Sequence, residues 1–558
     1  MYIGIDVGGT YTDGVILENY KLLKYTKALT GQDVGLSIRT VLTELLSGLY
    51  SARIERLVLS TTLITNLLAR KQTEAAGLLL LPGPGVNPRS LKFAAPAVIL
   101  SGAVDYRGRI IEPVNPAEVD AAVRKLLDQG IRHIGVACKF SQRNPALEQE
   151  IVQSLGQKYP QINVLASHEV HGLLNWVRRA NGTVYQMLVS REYQAFLAKI
   201  EETLQQLNIK CPVYILKADG GTLPLQVSAK YPLESIYSGP AASVLGALAA
   251  GGPHLTAVML DIGGTTTDLG LIINGVPLLA GKGAEINGHP ISCRSLAVSS
   301  LSLGGDTAVS VKNGQVSLGE KSGPALCLGG PQLTITDILV SLGLSAIGNK
   351  DAAKEGVFAL ARLQDLSPEQ LTEEALELFL QAIEIRLEEM YRRWEEEPAY
   401  RVWQLLNQRY ARPRTLVCIG GPAQALGQLL RQKKGWDMLI PEFSPVANAI
   451  GAALAKTTLW LDFYADTQQK VYSTNIGGIG GKLPDTVRTL EAARSFASGK
   501  FEEILDSWQQ EEKISEVIYE EGFNSIRGWD TLGKIFQLGL QTPPGLSGFP
   551  EGAGERRG

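Results

Sequence analysis

Long apolar runs are missing from this 558-residue sequence: nowhere do about 18 consecutive apolar residues occur, so no membrane-spanning helix is encoded. The opening residues, Met1-Tyr2-Ile3-Gly4-Ile5-Asp6, show neither the basic region nor the apolar stretch of a secretory signal, and a cytoplasmic location is expected. An excess of one charge is missing too. With Lys+Arg 53 against Asp+Glu 56, no basic field exists to hold a polyanionic backbone, so nucleic acid is not an expected partner. Cysteine is scarce. Cys138, Cys211, Cys293, Cys327 and Cys418 are odd in number, scattered and form no C-x-x-C pair, which excludes a disulfide framework and a structural zinc site. They are expected to be reduced and mostly buried. Glycine is abundant at 59 residues, and 45% hydrophobic with 20% charged content describes a soluble globular chain of roughly three or four domains.

Up to about Ala250, short apolar runs alternate with helical patterns. Tyr2 to Val7, Arg56 to Ser60, Gly77 to Leu81, His133 to Phe140 and Val213 to Lys217 are short runs rich in Val, Ile, Leu or Tyr, closed by turn formers, as strands of a mixed or parallel sheet are. The expected fold class is α/β. Helices are expected after Asn115 and Asn144, each a cap followed by proline, and over Asp365 to Pro398, where Ser367-Pro368-Glu369 is a start signal. Within the last, Arg386 to Glu397 reads as a solvated charged face. After about Leu459 the composition changes to a Gly-rich loop, Asn475 to Lys482, helices from about Pro484 to Glu520, and a Pro/Gly-rich end, Pro543 to Gly558, expected to fray. The division this suggests is 1–180, 181–459 and 460–558, the last a short, mainly helical extension.

One phrase occurs twice. Asp6-Val7-Gly8-Gly9-Thr10-Tyr11-Thr12-Asp13 and Asp261-Ile262-Gly263-Gly264-Thr265-Thr266-Thr267-Asp268 agree at seven of eight positions when Val7 and Ile262 are counted as equivalent. Each copy lies between two apolar, β-rich runs, so each is expected to be the turn of a β-hairpin. Paired glycines bend sharply and let backbone N–H groups approach an anion without an intervening side chain, and threonine hydroxyls add donors. An aspartate at the end of the entering strand suits a hydrated Mg²⁺ that bridges phosphate oxygens. Two such hairpins facing each other would clamp a nucleotide's phosphates in a cleft between related lobes; alternatively, both are ordinary Gly-rich turns.

Leu416 to Ile419 running into Gly420-Gly421-Pro422 is a buried strand entering a glycine turn, where backbone comes close to a flat adenine and ribose. Ser238 to Ala250 and Ser444 to Ala455 place small residues at helical spacing. They read as lobe-joining helices that cross closely, either as a hinge or in static packing. Gly477 to Lys482 does not meet the spacing of a P-loop, and Leu483 stands where Ser or Thr is required.

These residues resemble the ASKHA superfamily, the fold of actin, sugar kinases and Hsp70-type ATPases, with Asp6 to Asp13 and Asp261 to Asp268 matching its two phosphate motifs. Further stretches resemble its hydantoinase/oxoprolinase branch, in order over about Met1 to Leu459. They are Ser60-Thr61-Thr62 with Thr65-Asn66, Asp105 to Pro113, Phe140 to Pro145, Ser167-His168-Glu169-Val170, Asp219-Gly220-Gly221, Ser238-Gly239-Pro240-Ala241, and Gly329 to Asp337. The resemblance implies a two-lobed, ribonuclease H-like fold with duplicated lobes and ATP hydrolysis with Mg²⁺, used to activate the carbonyl of a small cyclic amide or ketone. It implies Asp6 and Asp261 at Mg²⁺, directly or through water. Gly8, Gly9, Thr10, Thr12, Gly263, Gly264, Thr265 and Thr267 would meet phosphates, and Gly420 and Gly421 adenosine. Asp13 and Asp268 are expected to brace their hairpins. A second hydantoinase-type subunit or a homo-oligomer is the implied partner.

Where relatives carry a longer glycine run, this chain has Gly304-Gly305-Asp306. Asp306 could order an attacking water or a metal in catalysis, or cap a turn, with Gly304 and Gly305 against the nucleotide. Ser60, Thr61, Thr62 and Asn66 either line the substrate pocket or form a capped turn before a helix. His168 and His171 lack a third ligand in sequence and read as polar residues, not a metal site. An ATPase that activates or reactivates a partner protein, and a small-molecule kinase of the same superfamily, are the competing readings.

Overall fold

The computed structural model describes residues 1–31, 33–49, 53–69, 74–312, 314–320, 323–396, 412–476, 479–510, 515–527, 529–551 and 553–554. Strand Tyr2–Val7 buries both its faces, as a central strand must. Ile3, Ile5 and Val7 enter one core with Ile38 and Leu42 of helix Val34–Leu46. On the opposite face Gly4 leaves room for helix Ala447–Leu454: a Cβ there would stand 2.8 Å from that of Ala453. The strand pairs antiparallel with Tyr11–Glu18 and parallel with Arg56–Thr61, and Lys21–Leu29, Val213–Leu216 and Thr222–Pro224 complete a six-stranded sheet. This sheet takes strands from both sides of residue 180.

An insertion between Arg56–Thr61 and Val213–Leu216 builds a four-stranded parallel sheet from Ala76–Leu81, Ala97–Ile99, His133–Cys138 and Asn163–Ala166. The 31-residue helix Trp176–Gln206 then joins the two cores, with Ala180 and Val184 in the insertion and Val189 and Tyr193 in the first lobe. Asn115 caps its helix through Ala117 N at 3.1 Å, and Asn144 accepts from Ala146 N at 3.0 Å, as expected.

The second lobe repeats the first. Ala257–Ile262 pairs antiparallel with Thr267–Ile273, which is followed by Val276–Pro277, and parallel with Thr415–Ile419, beside Asp437–Leu439. Both sheets run third, second, first and then two later strands along their main path, with Val298–Leu301 pairing additionally along Thr267–Ile273 in the second, and both hairpins share one register: Asp6 opposite Asp13 with Val7 opposite Thr12, and Asp261 opposite Asp268 with Ile262 opposite Thr267. The duplicated, two-lobed ASKHA architecture is therefore the fold of this chain. Helices Ser238–Gly251 and Ala447–Leu454 cross between the lobes at backbone contact, since a Cβ on Gly451 would stand 2.5 Å from Gly246 N.

The extension after residue 459 differs from its mainly helical expectation. It is a five-stranded antiparallel sheet of Gly480–Lys482, Val471–Thr474, Trp460–Asp466, Asp530–Gln541 and Glu516–Arg527, carrying the helix Leu490–Ser507. Phe536, Leu538 and Leu540 recur at strand period and bury against Phe463 and Phe501. The described part of the Pro/Gly-rich end is docked, not frayed: Leu546 is buried at the lobe junction, and Ser547 N donates to Leu454 O at 2.8 Å. Glu397 and Pro398 of the charged helix, Gly477 and Gly478 of the Gly-rich loop, and Gly552 with residues 555–558 lie outside the described residues. The contacts that fasten the extension to the insertion and its following turn include Arg107 paired at 2.7 Å with the fully buried Asp466, Arg143 Nη1 donating to Ser473 Oγ at 3.0 Å, and Gly172 N donating to Asn475 O at 2.7 Å. All five cysteines are free, and only Cys211 is not fully buried. Among the described residues no helix is long and apolar enough to cross a membrane.

Candidate active site

The first strands of the two lobes end at the lobe junction, where Asn448 meets both Asp6 and Asp261, and the ends of parallel strands are where ligands of open α/β sheets bind. Both hairpin turns close alike: Gly8 N donates to Tyr11 O at 3.0 Å and Gly263 N to Thr266 O at 2.9 Å. Gly9, Thr10, Gly264 and Thr265 are exposed at the two tips. Thr12 and Thr267 are fully buried, and their hydroxyls have partners inside their lobes, Thr30 Oγ1 at 2.9 Å and Leu303 O at 2.7 Å.

The hairpins face each other, and one side chain spans the gap. The Asn448 amide nitrogen, at the start of helix Ala447–Leu454, donates to Asp6 Oδ2 at 3.4 Å and to Asp261 Oδ2 at 3.3 Å. Asp6 also accepts from the Ser60 hydroxyl, and Asp261 from Ser243 Oγ at 2.6 Å. Burial raises the Asp6 carboxyl from its ordinary 3.8 to about 6, with the Asp13 and Asp261 charges adding to the rise against the Ser60 and Asn448 hydrogen bonds. Burial also raises Asp261, opposed by Ser243 and Asn448. Asp13 is raised by burial and held by Lys27, which donates to Asp13 Oδ2 at 2.8 Å and to Pro445 O at 2.9 Å. Asp268 is raised to about 6 by burial.

Two glycine turns close over Asp261 and the second hairpin. Gly305 N and Asp306 N donate to Gly263 O at 2.9 Å and Gly264 O at 2.7 Å. A Cβ on Gly304 would stand 2.6 Å from that same Gly263 oxygen, and one on Gly264 would stand 2.7 Å from Asp306 Oδ2, so the Asp306 carboxylate lies at the hairpin tip. Gly420 has φ +96° and packs so closely that a Cβ would stand 2.7 Å from Asp261 Oδ1, while Gly421 has open space beside it.

Ser60, Thr61, Thr62 and Asn66 take separate positions. Ser60 is fully buried beneath Asp6. Thr61 caps the helix Leu63–Ala69 through Leu63 N at 3.1 Å and exchanges backbone bonds with Ser238 Oγ. Thr62 and Asn66 are half-buried and bonded to each other at 3.1 Å. His168 is buried against Glu148, with Nδ1 to Oε2 at 2.7 Å, and Asp337 is a buried capping-box residue that also holds Leu326 and Cys327 N–H groups. Sequence reasoning did not assign Asn448, Ser243 or Lys27 to the site. The available signal was a polar side chain inside each of two otherwise small, apolar helices, Ser243 in Ser238–Gly251 and Asn448 in Ala447–Leu454.

A buried and a half-buried carboxylate, Asp6 and Asp261, both with raised proton affinity, are a donor set that a divalent cation compensates. Among the described residues no group of three or more His, Cys, Asp or Glu surrounds a metal position. A cation here would take two carboxylates at most, leaving its other positions to water and phosphate oxygens, as Mg²⁺ does.

The sequence model described as Hydantoinase/oxoprolinase matches residues 179–459, and that of the hydantoinase/oxoprolinase N-terminal region matches residues 2–159. The chain is 25% identical over 382 residues to the caprolactamase subunit alpha of Pseudomonas jessenii, covering 62% of this chain and 55% of that protein, so it spans about half of that relative's length. Among solved structures, nucleotide-free acetone carboxylase superposes with a TM-score of 0.71 at 18% identity, covering 98% of this chain and 88% of that one. The ATP-dependent caprolactamase of Pseudomonas jessenii superposes with 0.69 at 19% identity, covering 97% and 88%. At these identities the likeness is one of fold.

Proposed function

The chain belongs to the hydantoinase/oxoprolinase family, and we propose that it is an ATP-dependent hydrolase that activates the carbonyl of a small cyclic amide by phosphorylating its oxygen. The observation that carries this reading is the Asn448 amide bonded to Asp6 and Asp261 at once, which makes the two matched turns one site. Backbone N–H groups of Gly8, Gly9, Gly263 and Gly264 and the hydroxyls of Thr10 and Thr265 would hold phosphates from both sides. Gly304 and Gly305 would add backbone to the same wall, and Gly420 and Gly421 would lie along adenosine.

An amide carbonyl is a poor electrophile because nitrogen donates into it, and a phosphorylated oxygen removes that resistance by becoming a leaving group. The γ-phosphoryl group passes to the carbonyl oxygen and ADP leaves. Water then adds to the activated carbon, the C–N bond of that adduct opens to release the amine and leave an acyl phosphate, and a second water displaces phosphate to give the acid. Mg²⁺, when bound, would neutralise phosphate charge and align the transferring group. Asp6 and Asp261 would hold it or its waters, and Ser60, Ser243 and Asn448 would fix their orientation. Asp306, at the tip of the second hairpin, is assigned the attacking water. The caprolactamase relative is named a subunit, and a second subunit or a further copy of this chain is proposed as partner.

Phosphate release from Mg-ATP, measured with hydantoins, 5-oxoproline, lactams and ketones added singly, tests the reading. One cyclic amide should raise turnover, and Asp6→Asn and Asp261→Asn should each abolish the increase with the fold intact. Stimulation by no small molecule, or unchanged rates in both variants, would refute it.

A further inference from the structure

Cross-strand partners share one face of a sheet, so the registers of the first lobe set Ser60, Asp6, Asp13 and Lys27 side by side across four strands. The second lobe sets Ile419, Asp261, Asp268 and Ser300 in a matching row, with Ser300 on the strand Val298–Leu301. The duplication therefore breaks at the outer end of the row, where the first lobe carries an ammonium and the second a hydroxyl. Lys27 Nζ donates to Asp13 Oδ2 at 2.8 Å, and it also leaves its own sheet to reach Pro445 O at 2.9 Å. That second contact is shorter than either bond of Asn448, at 3.4 and 3.3 Å.

The dipeptide Ser444-Pro445 is gripped from both lobes. Ser444 O accepts from Gly420 N of the second lobe at 3.0 Å, and Gly420 is the turn that packs against Asp261. One continuous line of bonds thus runs from Asp13 through Lys27 to Ser444-Pro445, at the entry to helix Ala447–Leu454, and on to Gly420. Neutralising Asp13 accounts for one of the two lysine bonds only. The other places an ammonium at a helix start, the end where the helix dipole favours negative charge, so helix stability does not account for it. What it does is join the first hairpin to the glycine turn of the opposite lobe.

We propose that Lys27 is a positioning residue that couples the first phosphate hairpin to the Gly420-Gly421 turn, so that phosphate bound at one end of the cleft strengthens the binding of adenosine at the other. This rests on the nucleotide part of the reading above and not on the ring-opening step. The test is calorimetry on the full chain with the nucleotide divided into two probes, adenosine and Mg-pyrophosphate, each titrated alone and in the presence of the other.

In the wild type, saturating Mg-pyrophosphate should raise adenosine affinity about tenfold, within the usual range of coupling between two sites. Lys27→Met should leave the affinity for adenosine alone unchanged and remove the increase, and Lys27→Arg, which keeps the charge and can donate to both oxygens, should retain most of it. Asp13→Asn keeps an oxygen that accepts from Lys27 and should stay coupled. The double variant Lys27→Met with Asp13→Asn should remain uncoupled, whereas it would recover if neutralising Asp13 were the only task of the lysine. Lys21→Met, exposed on the same strand, should behave as the wild type. Coupling unchanged in Lys27→Met, coupling restored in the double variant, or probes that bind the wild type independently or not at all would overturn the inference while Mg-ATP binding stands. A wild type that takes up no Mg-ATP would refute the nucleotide reading itself, and the inference with it.

Discussion

Asp6→Asn should stabilise the nucleotide-free protein while removing its activity. Asp6 is 8% exposed, and its environment raises its carboxyl from 3.8 to about 6. At about 1.4 kcal/mol for each tenfold change in proton affinity, keeping it ionised above pH 6 costs the folded state about 3 kcal/mol. The sign follows from proton binding. Between pH 3.8 and 6 the folded protein holds a proton that the unfolded chain has lost, so this group's contribution to stability falls as pH rises and levels off above 6. Asparagine removes the charge and still accepts a hydrogen bond from Ser60 or Asn448, so about 1 to 3 kcal/mol of gain should survive the lost bonds. The assay is chemical or thermal unfolding without nucleotide at pH 4.5, 6 and 7.5. The variant's advantage should be large at pH 7.5 and shrink towards pH 4.5, and Mg-ATP should stabilise it less than the wild type. A variant less stable than wild type at pH 7.5, or an advantage independent of pH, would refute the reasoning.

Asn448→Ala removes the donor shared by Asp6 and Asp261 and should cost about ten- to a hundredfold in stimulated phosphate release, with circular dichroism unchanged. Gly420→Ala should be strongly destabilising, by about 2 kcal/mol or more in urea melts, because its φ is +96° and the added carbon meets Asp261 Oδ1 at 2.7 Å. Arg107→Ala leaves Asp466 buried without its ion pair. It should loosen the extension by about 3 to 5 kcal/mol, read as earlier proteolytic cleavage between residues 459 and 542 with the lobes still intact.

The two hairpins were legible because their chemistry is local. Aspartate, two glycines and threonine stand in sequence order, and the repeat exposed the duplication of the fold. Asn448, Ser243 and Lys27 were not legible as partners, since each reaches an aspartate from 14 to 442 positions away along the chain. Thr12 shows the reverse: its position in the motif suggests a phosphate contact, but strand alternation turns it into the lobe, where it meets Thr30. The extension was misread because Glu516–Arg527 is a largely exposed strand with little apolar pattern, and the two-residue period of Phe536, Leu538 and Leu540 is short.

The crossing of Ser238–Gly251 with Ala447–Leu454 has a consequence for dissecting the protein. Since Gly4 is covered by a helix some 440 residues later, and Val213–Leu216 with Thr222–Pro224 finish a sheet begun at Tyr2, a fragment ending near residue 180 would leave apolar strand faces bare and aggregate when made alone. Co-expressed with the remaining polypeptide, the same fragment has a ready-made complement, and recovery of a soluble, non-covalent pair would be the natural route to a split reporter for this fold.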